Sequence, residues 1–247
     1  MISIDFVIPA FHSKDLLECA ISSFERFSGG FNFRYIVVEN SSDDSYKEFA
    51  ESLGNVLWVQ NNTKHIGSEA NAIAIDVGSK FVDTEFAFIC HVDTMACHSG
   101  WMDFIYNKAV QNGYSMIGFR EDAQRVNAIH QAGILIRSDV LKSVSSFPVY
   151  DGGKMVMDVG DSFTVYCRDN GLKYFCCDNT FNNKELVDKV DVFSGILIDR
   201  AVDDDCNVIF MHLGRGIVKL HGGYNKPNRI GYMAWLDYGK TLTGRDI

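Results

Sequence analysis

Three clusters of polar residues each follow a short apolar run early in the chain: Pro9-Ala10-Phe11-His12, Glu39-Asn40-Ser41-Ser42-Asp43 and His91-Val92-Asp93-Thr94. Apolar runs of this kind read as buried parallel strands, and open parallel sheets bind ligands just beyond the carboxyl ends of their strands. The chemistry on offer is that of a carboxylate at a strand end. Asp93 can hold a hard divalent cation, Mg2+ or Mn2+, and such an ion can bridge to a diphosphate. Two other ways of holding phosphate are missing, since neither G-x-G-x-x-G after the first strand nor G-x-x-x-x-G-K-[ST] occurs. The plain alternative for Asp93 is a helix cap or turn residue; its strand-end position favours a site.

The elements that must position these residues are legible from their periods. Residues 2–8 are apolar and β-rich and stop at Pro9; Leu16, Leu17, Ala20, Ile21, Phe24 and Phe27 then recur at helical spacing behind Ser13 as N-cap. Runs at 35–38, 56–59 and 86–90 read as three more strands. Between them lie a short helix marked by Tyr46, Phe49, Ala50 and Leu53, and one with the stripe Ala70, Ile73, Ala74, Val77 and Phe81. This alternation predicts right-handed βαβ units, hence an α/β fold with a mostly parallel sheet flanked by helices. Past about residue 113 the rhythm loosens. SMIGF and AGILIR read as strands, residues 151–161 as a glycine- and acid-rich loop before a helix, and CNVIFMHLG as a late strand. The tail from 222 to 247 shows no clear period.

Composition narrows the function. A chain of 247 residues, 47% of them hydrophobic, can bury one sizeable core. Its net charge of −9 lacks the basic footprint that nucleic acid requires, yet does not oppose a phosphorylated small molecule. Seven scattered cysteines fit a reducing, cytoplasmic setting better than a disulfide framework. The N-terminus lacks a basic leader and no stretch reaches membrane-spanning length, so the expected protein is soluble or at most docks on a membrane surface.

Four segments, in order, resemble the family-2 GT-A glycosyltransferases. IDFVIPAFHSKDLLECAISSF is similar to the family's opening, where a strand ends in a proline plus an aromatic and meets the nucleotide. YIVVENSSDDS resembles "VVDNGSTD", with Glu39 at the position that contacts the base. NNTKHIGSEANAIAI resembles "N-x-G-x-x-x-A-x-N-x-G" through Gly67 and Asn71. FICHVDTMA lies where the family has its D-x-D metal motif, with Asp93 at the metal-binding position and His91 in place of the first aspartate. Further on, MVMDVGDSFTVYCRDNGLKYF resembles the segment that carries the catalytic base, and IFMHLGRG the "H-x-x-G-x-S" element whose histidine approaches the metal.

The resemblance implies a GT-A domain over residues 1–220, with a nucleotide-sugar half at 1–120, an acceptor half at 121–220, and an extension at 221–247. It implies transfer of a sugar, with inversion, from a UDP-, GDP- or dTDP-sugar to a glycan or lipid-linked glycan, assisted by Mg2+ or Mn2+. The implied donor site comprises Pro9, Ala10, Phe11, Glu39, Asn40, Ser41, Gly67, Asn71, His91, Val92, Asp93 and Arg215, with Lys219 near the leaving group. Asp93 and His212 would hold the metal. Asp158, or failing it Asp161, would be the base.

Each assignment has a plainer rival: a solvated turn for Glu39, hydrogen-bonding structural roles for His212 and His130. Tyr224, Tyr232, Trp235 and Tyr238 either line an acceptor groove or, as favoured, pack the tail onto the domain. Zinc at Cys90-His91 and Cys97-His98 is rejected, because Cys90 should face the sheet and no further pair completes a set. Whole-chain rivals are a sugar nucleotidyltransferase, which would carry a basic glycine-rich loop where PAFHSK stands, and a catalytically silent GT-A module.

Overall fold

The structure is a computed structural model and describes residues 1–190, 198–214 and 228–244. The first half alternates as its periods demand: β1 (Ile2–Ala10), α1 (Lys14–Arg26), β2 (Phe31–Glu39), α2 (Lys47–Ser52), β3 (Val56–Gln60), α3 (Gly67–Gly78) and β4 (Phe86–Cys90). Then come β5 (Thr94–Ala96), α4 (Trp101–Asn112), β6 (Tyr114–Gly118), β7 (Glu121–Asp122), β8 (Ala128–Ile129), β9 (Gly133–Arg137) and α5 (Ser138–Ser143). The rest comprises β10 (Val149–Asp151), β11 (Lys154–Met157), α6 (Asp161–Asp169), β12 (Lys173–Cys176), β13 (Asp199–Val202), β14 (Val208–His212) and α7 (Arg229–Thr243).

Seven strands form the central sheet in the order β12-β6-β9-β4-β1-β2-β3. Only β9 runs antiparallel to its neighbours β4 and β6; the other pairings are parallel. The strands are continuously apolar because both faces are covered. Ile4, Phe6 and Ile8 of β1 point to one face, where Leu16, Leu17 and Phe24 of α1, Trp101 of α4 and Trp235 of α7 pack. Val7 points to the other, with Ala72 and Ile75 of α3, Val140 of α5 and Phe163 of α6. Two-residue alternation in β1 thus feeds two separate cores. A second, antiparallel sheet, β13-β14-β5, lies across the end of β4.

Several local expectations are corrected. Residues 151–161 are not simply a loop, since β10 and β11 pair as a hairpin. Its turn is Gly152-Gly153, with φ of +55° and +81°, the left-handed pair that a two-residue hairpin turn needs and glycine supplies freely. The aperiodic tail contains the 15-residue helix α7, which buries Tyr232, Trp235 and Leu236. Its period is hidden because Gly239 also faces inward, where an added Cβ would meet the Cys19 sulfur at 2.7 Å. Ser13 precedes α1 but caps nothing with its side chain; its Oγ instead accepts from the Phe11 amide at 3.3 Å. In α3 the buried stripe is Ala70, Ala72, Ala74 and Ile75, while Phe81 stays 40% exposed. All seven cysteines are unbonded. Among the described residues no helix is long and apolar enough to cross a membrane.

One polar pair is built into the sheet. Asp5 and Arg34 are register partners on β1 and β2, and the guanidinium grips the carboxylate with two 2.8 Å hydrogen bonds. The amides of Asp83 and Thr84 add bonds of 2.7 and 3.2 Å. Burial alone would raise the Asp5 pKa, but these donors outweigh it and lower the value. A carboxylate with a depressed folded pKa stabilises fully above its unfolded value, about 3.9, and loses that contribution as pH falls through the folded value. Asp5→Asn is therefore expected to cost about 1–3 kcal/mol at neutral pH. In urea titrations the gap from wild type should stay flat above about pH 5 and close in stronger acid; a gap that persists unchanged at low pH would refute this.

Candidate active site

The parallel strands β1, β2 and β4 deliver their polar tips to one edge of the sheet. Beyond β4 the chain hooks back, with Thr94 Oγ1 donating to the His91 carbonyl at 2.7 Å. β5 then pairs with β14, His212 opposite Thr94, and the Leu213 amide donates to the Asp93 carbonyl at 2.9 Å. Two segments far apart in sequence are thereby clamped so that His212 Nε2 lies 3.6 Å from Asp93 Oδ1. His91 Nδ1 lies 3.8 Å from the same oxygen. Ligand atoms of His91, Asp93 and His212 all fall within 4.8 Å of one another. The two quoted gaps are too long for hydrogen bonds but suit donors that each sit about 2.0–2.2 Å from a shared cation.

The surroundings prepare these donors. His212 Nδ1 faces Asp199 Oδ2 at 3.3 Å, and Arg120 Nη1 donates to the same oxygen at 2.8 Å. Burial acts to raise the Asp199 pKa, yet His212 and Arg120 hold it below the usual range, so it is a carboxylate at neutral pH. With Nδ1 facing Asp199, His212 turns Nε2 toward Asp93, the arrangement by which carboxylates orient metal-ligating imidazoles. Burial, reinforced by His212 and Arg120 and opposed by Asp93, lowers the His91 pKa to about 4, so this ring is neutral at pH 7. Both Nε2 atoms, of His91 and His212, are buried without a hydrogen-bond partner. Buried polar atoms are rarely left so, and a cation beside Asp93 would satisfy His212 Nε2, whereas the His91 atom that faces Asp93 is Nδ1.

A third imidazole completes the cluster. The His130 ring centroid lies 5.8 Å from that of His91 and 5.7 Å from that of His212. Burial first, then His212, His91 and nearby arginines, keep it neutral. Its Nδ1 accepts the Ala132 amide proton at 3.2 Å, so the ring's own proton sits on Nε2, making His130 a donor rather than a ligand. A crevice lined by Arg120, His130, Asp199 and His212 opens beside it.

The two acidic candidates differ sharply. Asp161 is buried at the start of α6, and its Oδ2 accepts the Asp158 amide at 2.7 Å. Burial raises its pKa, partly offset by that amide and by Arg125. Asp158 is more accessible, with its side chain 26% exposed and Oδ2 bonded to Arg125 Nη2 at 3.1 Å. Its negative charge favours the protonated form of His91, less strongly than burial opposes it.

At the tips of β1 and β2, Pro9, Ala10, Asn40 and Ser41 are buried, as is Val92 after β4, while Phe11 is 51% exposed. Asn40 is locked by a bond to the Ala70 carbonyl (3.1 Å) and one from Asn61 (2.7 Å). Gly67, with φ of +58°, opens α3, and Asn71 is half-buried on its first turns. Glu39, expected at the nucleobase, is held by its own loop. It has no exposed surface, and its carboxylate accepts from the Ser41 amide at 2.9 Å and from the Tyr46 hydroxyl. It braces its own loop from within. Accessible acids at this tip are exposed Asp44 and half-buried Asp43, the latter bonded to His12 Nδ1 at 3.1 Å. Arg215, Lys219 and Tyr224 lie outside the described residues.

Sequence reasoning missed Asp199 and Arg120. Their signal is a strand pairing, Asp199 opposite His212 in β13-β14, that no local pattern reveals.

No family profile matches the chain, and no curated protein matches it in sequence. Solved structures do match it in shape. A mannosyltransferase from Pyrobaculum calidifontis, solved with GDP-Man and Mn2+, superposes with a TM-score of 0.55 at 12% identity, covering 70% of this chain and 54% of the other. The chain has the GT-A glycosyltransferase fold. This GT-A chain also resembles a mycobacterial protein with a TM-score of 0.50 at 14% identity, covering 70% of this chain and 63% of that one. Glucosyl-3-phosphoglycerate synthase from Mycobacterium tuberculosis, solved with Mn2+, UDP and glucosyl-3-phosphoglycerate, matches at 0.49 and 13%, covering 70% and 69%. The GT-A chain spans about half the length of the mannosyltransferase it matches.

Proposed function

We propose that the chain transfers a sugar, with inversion, from a nucleoside diphosphate sugar to a hydroxyl of a glycan or lipid-linked glycan. The observation that carries this is the meeting of Asp93, His91 and His212, with two unsatisfied imidazole nitrogens, at the ligand-binding edge of a GT-A sheet. These residues fit a divalent cation, and Asp93 and His212 would hold it. When bound, the ion supplies the positive charge that a leaving diphosphate needs.

The chain's own residues supply the rest. Asp158 takes the proton of the acceptor hydroxyl as that oxygen bonds to the anomeric carbon and the bond to the diphosphate oxygen breaks. Arg125 holds the Asp158 carboxylate in position, and Asp161 fixes the Asp158 backbone. His130 offers its Nε2 proton, and Arg120 its charge, toward the developing negative charge. Exposed Phe11 is the surface on which a nucleobase can stack, with Asp43 beside it. Within the expected extension, α7 buries Trp235 in the main core beside residues of β1 and α1.

Two measurements test this. Donor hydrolysis should appear with Mn2+ and vanish with chelator; its absence across UDP-, GDP- and dTDP-sugars favours the silent-module reading, to which buried Glu39 lends weight. Asp199→Asn, which weakens the hold on His212, should lower Mn2+ affinity by about 10- to 100-fold in calorimetry. Unchanged affinity would remove His212 from the ligand set.

A further inference from the structure

We infer that the cation site is nitrogen-rich, with His91 as a third protein ligand, and that it takes a first-row transition ion in preference to Mg2+. The inference rests on the reading of this cluster as a cation site and is independent of sugar transfer.

Two imidazoles and one carboxylate converge within 4.8 Å. His212 turns a buried Nε2 with no hydrogen-bond partner toward Asp93, and His91 faces the same carboxylate through Nδ1, its own Nε2 also being buried without a partner. His91 is not merely adjacent. Its ring crosses that of His212 with centroids 5.4 Å apart, and both rings approach the same Asp93 oxygen. The third ring, His130, has its Nδ1 occupied by the Ala132 amide and so leaves the set at three.

The donor types then decide the ion. Mg2+ is hard, strongly hydrated and favours oxygen, and it is held by charge as much as by geometry. Here the protein offers it one carboxylate and two imidazole nitrogens. Imidazole suits Zn2+, Fe2+ and Co2+, and affinity at a given nitrogen-oxygen site rises from Mn2+ to Co2+. The expected order of affinity is therefore Zn2+ and Co2+ above Mn2+, and Mn2+ above Mg2+.

The test uses the full chain freed of metal by chelator. Calorimetric titration should find Mn2+ bound at least about tenfold more tightly than Mg2+, with Co2+ tighter still. Electron spin echoes of the Mn2+ complex should show two coordinated imidazole nitrogens. His91→Ala should remove one and weaken Mn2+ binding by about tenfold, while His91→Asp should move the preference back toward Mg2+. Melting temperatures of both variants check that they fold, and the wild-type measurements stand without them. Equal affinity for Mg2+ and Mn2+, a single coordinated nitrogen, or His91→Ala binding Mn2+ as wild type does would each overturn the inference. A chain that binds no cation overturns it together with the cation part of the proposed function. The expected ion preference without any donor hydrolysis upholds it and sinks the transfer reading alone.

Discussion

Asp93→Ala is expected to lower the affinity for a nucleoside diphosphate, measured in Mn2+, by about a hundredfold, or ~2.7 kcal/mol. Asp93 is the one carboxylate in the three-ligand cluster and the atom that both imidazoles approach. Without it two imidazoles remain and the cluster offers the ion no negative charge. The diagnostic is the chelator. Wild type should fall to the variant's affinity when Mn2+ is removed, whereas the variant should be indifferent to it. Asp93→Asn keeps the shape and the Leu213-to-Asp93 backbone bond while removing the charge, so it separates lost metal from a loosened β4 end. If that isosteric variant keeps full, chelator-sensitive affinity in calorimetry, Asp93 is not the anchor.

Asp158→Asn is expected to leave nucleotide and Mn2+ binding near wild type and to lower turnover by about a thousandfold, in the middle of the range for loss of a general base. The amide keeps the size and its one oxygen can still accept from the Val159 N–H, while the bond from Arg125 is lost, so the loop before α6 should hold its path through the backbone contact. What disappears is the capacity to accept a proton. Asp161→Asn should behave differently. Its carboxylate accepts the Asp158 amide and sits buried at the helix start, so the loss should show as lower stability with smaller damage to turnover. Full turnover in Asp158→Asn would place the base elsewhere.

Much of the donor half was legible because its information is local. The runs at β1 to β4 are apolar on both faces, the helices between them repeat at helical spacing, and a parallel sheet puts its tips on one edge whatever the details. Asp93 and His212 could be named from the segments that carry them. Their meeting could not, since it depends on β5 pairing with β14 across nearly half the chain. Asp199 and Arg120 share that fate. The surroundings of Glu39 were hidden for another reason: strand position tells where a carboxylate starts but not whether a neighbour such as Tyr46 turns it inward. In the tail, glycine at inward positions of α7 erased the apolar stripe that would have announced a helix.

The central claim, a cation held where β4 and β14 meet, has a direct test in anomalous diffraction at the manganese edge from crystals grown with Mn2+ and a nucleoside diphosphate. The expected result is one strong peak within about 2.0–2.3 Å of Asp93 and of the imidazoles of His91 and His212, with diphosphate oxygens completing its shell. Well-ordered nucleotide with no peak at that place, or with manganese bound away from Asp93, would contradict it.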